Sequence, residues 1–258
     1  MLLNDETTWP VDVVQYLEHY HDLFLSWALR REEYNAAPMA DEDARAVAVE
    51  YDRAVYGLHD ILRNYTLDGG YHCTRLTEAE IHHIASSGMQ LPNKAMLCDR
   101  IQTIQDAGLL DPPVAERLRQ INQADETNRA GMIWFCFYPP HIAGQGGIER
   151  LLRSWGGEAL YNSHERDSLI GPILMSIGKP CLIEATVPIA SFPAHTFLEV
   201  HLYRQFLINR GLQTTEPVHH ENRATHPIPA RSIKRIVRFE EPDFVTLTNC
   251  SIWTPPLT

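Results

Sequence analysis

Apolar residues recur at helical spacing in two stretches near the start of the chain. Val14, Leu17, Phe24, Leu25 and Ala28 fall on one face between Val11 and Tyr34. Ala44, Val47, Tyr51, Ala54, Val55, Leu58, Ile61 and Leu62 do the same between Asp41 and Tyr65. The spacing predicts two long helices joined near Pro38, an antiparallel hairpin over residues 1–67 with an acidic outer face. Asp68-Gly69-Gly70 breaks the period and predicts a boundary, with a second domain over 68–258.

Past that boundary the punctuation becomes denser. Tyr71-His72-Cys73-Thr74 reads as the end of a strand, and Thr77 with Glu80 has the spacing of a capping box, in which each side chain satisfies a backbone N–H at a helix start. Ile81, Ile84 and Ala85 give that short helix an apolar face, and Gly88 can end it in a left-handed conformation. Two more helical patterns over 93–124, the second opening at Pro112-Pro113, read as an insertion. Met132 to Tyr138 is a continuous apolar run bounded by Pro139-Pro140 and predicts a buried strand. A glycine-rich loop, 144–147, then leads into a helix from Ile148 to Trp155. Cys181–Val187 and Ser232–Phe239 read as further strands, and Phe197–Leu207 as a helix. The fold class expected is α+β, with a split, mostly antiparallel β core.

Composition narrows the functional classes. The chain has 258 residues, 44% of them hydrophobic, enough for one sizeable domain with an extension. No apolar run approaches a membrane span, and acids stand where a secretion signal has bases, so a soluble, cytoplasmic protein without membrane association is expected. The five cysteines are scattered without a C-x-x-C and read as reduced thiols. A net charge of −11 argues against nucleic-acid binding by the whole surface. Segment 223–238 is the exception: Arg223, Arg231, Lys234, Arg235 and Arg238 occur there without an acid until Phe239 is passed. That strip reads first as a solvated strand face and, as the sharper alternative, as a grip for a phosphate-bearing substrate.

Three familiar kinds of chemistry are disfavoured by spacing. Thirteen histidines include three close pairs but no H-E-x-x-H, so no metal is expected. There is no G-x-S-x-G for a serine nucleophile, and 144–147 matches neither a P-loop nor a G-x-G-x-x-G turn.

The order aromatic, His72, turn, capped helix, glycine resembles the opening of the ADP-ribosyltransferase catalytic domain, in the His-Tyr-Glu branch that includes diphtheria toxin and the poly(ADP-ribose) polymerases. The later order supports it: an aromatic-ended strand at 135–138, a loop and helix, a core strand at 181–187, then Glu221 ahead of Ile228-Pro229-Ala230-Arg231-Ser232-Ile233. The resemblance spans about residues 70–240 and leaves the N-terminal hairpin, a surface for a protein partner, unexplained. It implies NAD as substrate and transfer of ADP-ribose to a macromolecular acceptor, protein or nucleic acid, in a toxin or defence setting.

Cleavage of NAD at its glycosidic bond passes through an oxocarbenium-like state, which a carboxylate near the ribose stabilises. Glu221 is the candidate, with Glu216 as a competing carboxylate. His72 is suited to orienting a ribose hydroxyl, backbone groups at Cys73 to the nicotinamide amide, and Thr74 to holding that turn. Tyr138, or else Tyr161, supplies a ring to stack on nicotinamide. Cysteine follows His72 where the family commonly has glycine, and no acid stands two positions before Glu221, which points away from arginine as acceptor. Two other readings stay open. An RNA 2′-phosphotransferase-like enzyme would require Arg75 and the basic strip, and a noncatalytic module on the same fold would bind a partner through the hairpin.

Overall fold

The computed structural model describes residues 1–36, 41–194 and 196–258. Its helices are α1 (Val11–His19), α2 (His21–Ala36), α3 (Glu42–Leu62), α4 (Glu78–Ser87), α5 (Lys94–Asp106), α6 (Pro112–Gln120), α7 (Gly144–Arg153), α8 (Glu158–His164), α9 (Ile170–Ser176), α10 (Leu198–Asn209) and α11 (Pro242–Thr248). Its strands are β1 (Thr66–Leu76), β2 (Ile133–Cys136), β3 (Lys179–Pro188), β4 (Glu221–Ala224) and β5 (Ile233–Arg238). They form one sheet in the order β4-β2-β1-β3-β5. The pairings β1/β2, β2/β4 and β3/β5 are antiparallel, so the protein is α+β. Among the described residues no helix is long and apolar enough to cross a membrane.

The chain divides into two compact units, Met1–Asp68 with Pro188–His220, and Gly69–Val187 with Glu221–Thr258. In the first, the apolar faces of α2 and α3 are covered by α10, a helix the hairpin expected over 1–67 did not include. Phe24 stacks on Tyr203 with centroids 4.6 Å apart, Trp27 on Tyr51 at 4.0 Å, and the hydroxyls of Tyr51 and Tyr203 meet at 3.1 Å. Two helices leave such aromatics half exposed, and a third removes them from water. The single helix expected over Val11–Tyr34 is two, because Tyr20 (φ −100°, ψ 15°) leaves helical geometry between α1 and α2. Apolar spacing continues across that break, so periodicity carries no sign of it. The expected joint near Pro38 lies outside the described residues.

The second unit contains most of the sheet and two apolar layers. Cys73, Leu182 and Val237 on one sheet face pack with Ile148 and Leu152 of α7, Phe244 of α11 and Trp253. The segment expected as an insertion, α5 and α6, shares a core with α8 and α9 through Leu97, Ile101, Leu118, Trp155, Leu160 and Leu174. It is a structural half of a helical layer.

The boundary expected at Asp68-Gly69-Gly70 falls where the two compact units divide, although β1 runs through it unbroken. Gly69 has φ 68°, and a Cβ on Gly70 would lie 2.8 Å from Cε1 of Phe137 and 3.3 Å from the carbonyl oxygen of Ala185. Gly70 serves close approach within the sheet, and Gly69 a positive φ. The 144–147 loop is likewise the first turn of α7, entered through Gly144 at φ 72°. β2 stops at Cys136, leaving Phe137 and Tyr138 beyond it.

Candidate functional site

β1 delivers its residues into a rigid corner. The capping box at α4 is present: Glu80 N–H donates to Thr77 Oγ1 at 3.3 Å and Thr77 N–H to Glu80 Oε2 at 2.8 Å. The same carboxylate accepts from Arg100 Nε at 2.7 Å and from the Trp155 indole N–H at 3.1 Å. Burial alone would raise the Glu80 carboxyl, but Arg100 and these N–H donors more than offset it and hold it below the usual range. At the other end of α4, Gly88 (φ 81°) lets the chain pass against Ile228, which pairs with Met89 in an isolated bridge.

Register decides which candidates can meet. Tyr71 lies opposite Cys136, and Cys136 opposite Glu221, so these three residues share one sheet face. The next row, Phe135 opposite Asn222 with His72 beside Phe135, belongs to the other face; the His72 and Phe135 rings are 6.0 Å apart. Side chains one position apart on a strand point to opposite faces. His72 and Glu221 are therefore on different faces of the sheet.

On the Glu221 face, the Tyr138 hydroxyl donates to Glu221 Oε1. Tyr138 is half-buried and Glu221 exposed. Burial, then the hydrogen bond to Glu221 and its negative charge, push the Tyr138 phenol far above its usual range, so it stays a donor at any physiological pH. Behind the pair lie Cys73 and Cys136, both buried and free. The Cys73 thiol is raised well above its ordinary value, first by its hydrogen bond with Cys136, then by burial and the Glu221 charge. It is no nucleophile in this state.

On the opposite face, His72 is half-buried, and its Nδ1 lies 2.9 Å from the carbonyl oxygen of Trp134. A carbonyl only accepts, so Nδ1 carries the hydrogen and Nε2 is an acceptor. Burial lowers the imidazole below its ordinary value, keeping it neutral. Thr74 follows on the same face.

The remaining candidates are held elsewhere. Arg75 is buried, with Nε donating to the Ile177 carbonyl at 2.8 Å and Nη1 to those of Thr258 at 2.6 Å and Leu152 at 3.4 Å. Its guanidinium braces backbone and is not presented to a phosphate. In the basic strip, Arg235 is paired with Glu184 and Asp243, and Arg238 with Glu78. Tyr161 is on α8, its hydroxyl 3.2 Å from Glu158 and Arg150 4.2 Å above its ring. Glu216 belongs to the first compact unit, paired with Arg31 and Arg204. Of the two competing carboxylates, Glu221 is the one beside Tyr138.

Register also brings together residues that the sequence did not single out as a group. Trp134 lies opposite Arg223, two rows along from Cys136 and Glu221 and so on the same face. The alternation of Trp134 and Cys136 within the apolar run was the available signal, but continuous hydrophobicity hid it. Among the described residues, no group of three or more His, Cys, Asp or Glu is gathered as metal ligands would be. Comparison with known protein families, with curated proteins and with solved structures finds no match for this chain.

Proposed function

We propose that the protein is an NAD-dependent ADP-ribosyltransferase whose chemistry centres on Glu221 and Tyr138, within a sheet of the ADP-ribosyltransferase type. The observation that carries this reading is the Tyr138–Glu221 hydrogen bond, which joins side chains 83 positions apart at the mouth of two paired strands. Two of the three residues singled out by the family resemblance converge there. In the reaction, the bond between nicotinamide N1 and ribose C1′ breaks and its electron pair leaves with neutral nicotinamide. A bond forms from the acceptor nucleophile to C1′, and the acceptor's proton passes to Glu221 or to water. Glu221 stabilises the positive charge that builds on the ribose, and the Tyr138 phenol holds that carboxylate in place with its ring available to nicotinamide.

The test is nicotinamide release from NAD by the purified protein, alongside Glu221→Gln and Tyr138→Phe. Loss of a stabilising charge at such a centre costs roughly 100- to 1000-fold in turnover, and Tyr138→Phe, which keeps the ring, is expected to cost less. Thermal melts of each variant separate chemistry from folding. Release unaffected by Glu221→Gln sinks the assignment. The position of His72 favours a second reading: it lies on the sheet face opposite Glu221, as a noncatalytic module on this fold would tolerate. Absence of both release and any NAD-dependent rise in melting temperature selects that reading.

A further inference from the structure

Beside the Tyr138–Glu221 pair the same sheet face carries an arginine, Arg223, with a buried Nε. Arg223 lies directly across from Trp134, its guanidinium 5.2 Å from the centre of the indole ring. Its Nε is shut off from solvent and has no hydrogen-bond acceptor among the described residues. Arg235 and Arg238, from the same basic strip, are paired with carboxylates. A buried N–H without an acceptor costs free energy; that Nε is itself out of a ligand's reach, but Arg223 as a whole is only half-buried, and a guanidinium is complementary to the oxygens of a phosphate. Trp134 in turn is 44% exposed, although it sits in the middle of an otherwise apolar strand. A partly exposed indole with a guanidinium near its ring offers a surface on which a flat heterocycle stacks.

We infer that Trp134 and Arg223 form an acceptor subsite for a nucleotide of single-stranded nucleic acid, with the base on the Trp134 ring and its phosphate on Arg223. This inference rests on the proposed transferase reading for what happens next, but not for the binding itself. Position argues for an acceptor over the adenylate half of NAD. Glu221 and Arg223 are two residues apart on one strand face, roughly 7 Å along it, so the subsite borders the carbon where the new bond forms. The adenine of an extended dinucleotide lies beyond a second ribose and a diphosphate. β4 is also the edge strand of the sheet. Stacking plus one phosphate contact is the recognition unit that single strands use. With the chain's net charge of −11 repelling duplex backbone, a short single strand meets this patch with the least penalty.

The experiment is fluorescence anisotropy of a labelled mixed-sequence single-stranded octanucleotide, DNA and RNA in separate arms, titrated with the full chain without NAD. Arg223→Ala and Trp134→Ala are each expected to weaken binding on the order of tenfold, with Trp134→Phe recovering most of the loss. Arg223→Ala is expected to flatten the salt dependence by about one phosphate contact, a slope change of roughly 0.7. A duplex of the same sequence and a poly-glutamate peptide are the competitors. No binding by the wild type, or binding that both alanine variants leave intact, overturns the inference. Peptide binding that depends on Arg223 but not on Trp134 also overturns it, in favour of an acidic protein acceptor. Nicotinamide release serves as the independent arm: oligonucleotide binding without release sinks the transferase reading alone, and release without oligonucleotide binding sinks this subsite alone.

Discussion

Acid should destabilise the first compact unit through one buried histidine. His220 is 1% exposed, with the His201 ring 5.5 Å away and Phe192 at 6.2 Å. Burial, followed by repulsion from His201, lowers it from 6.5 to about 3. Above the ordinary value, folded and unfolded chains both hold it neutral, and it makes no difference to stability. As pH falls below 6.5, the unfolded chain takes up a proton that the folded chain refuses until about 3, so stability is lost across that window. Between pH 7 and pH 5 the loss from this residue alone is about 2 kcal/mol, with a slope near 1.4 kcal/mol per pH unit at the acid end. His201, lowered to about 4 chiefly by burial, adds less because it is more exposed and better screened. Urea unfolding of the wild type and of His220→Gln at a series of pH values from 7 to 5 measures this. Carboxylate titrations are common to both proteins and cancel in the difference. Stability curves that stay parallel, whatever their offset, refute the reasoning.

Three further outcomes test the frame around the site. Gly88→Ala is expected to destabilise by several kcal/mol or prevent folding, because φ is 81° and the new Cβ would collide with the Ile228 carbonyl; a melting temperature within a few degrees of wild type contradicts it. Thr77→Ala removes half of the α4 capping box and should cost about 1 kcal/mol in chemical denaturation, since Glu80 keeps its bonds to Arg100 and Trp155. Arg75→Met leaves the Ile177 carbonyl without its side-chain donor and should cost roughly 2 kcal/mol. A variant as stable as wild type would show that Arg75 is free for another role.

Much of the fold was legible because local chemistry and tertiary demand agreed. The capping box at Thr77 and Glu80 stands where spacing put it, and the apolar runs are strands, although β2 ends at Cys136, short of Tyr138. What escaped was set by distant partners. Nothing local says that α10 completes the layer of α2 and α3, because an amphipathic face shows a need for cover and not its source. Gly69 and Gly70 read as punctuation, yet β1 runs through both and Gly70 lets Phe137 and Ala185 approach, which only the folded sheet reveals. The same holds at the site. Tyr138 and Glu221 were each nameable from the sequence, but their hydrogen bond depends on the register between β2 and β4. Register also separates His72 from them and joins Trp134 to Arg223, and strand pairing of this range leaves no mark on sequence spacing.

The two-row arrangement across β1, β2 and β4 bears on how such a protein can change over descent. Point substitution can alter what stands in the Tyr71–Cys136–Glu221 row or in the His72–Phe135–Asn222 row, but cannot carry a side chain from one to the other. Gain or loss of a residue within one of these strands transposes them, and in β1 the place best able to absorb it is Gly69, whose φ is already 68°. A histidine can therefore reach the Glu221 face by substitution at Tyr71 or by a single-codon indel near that glycine, whereas substitution at His72 itself never moves chemistry across the sheet.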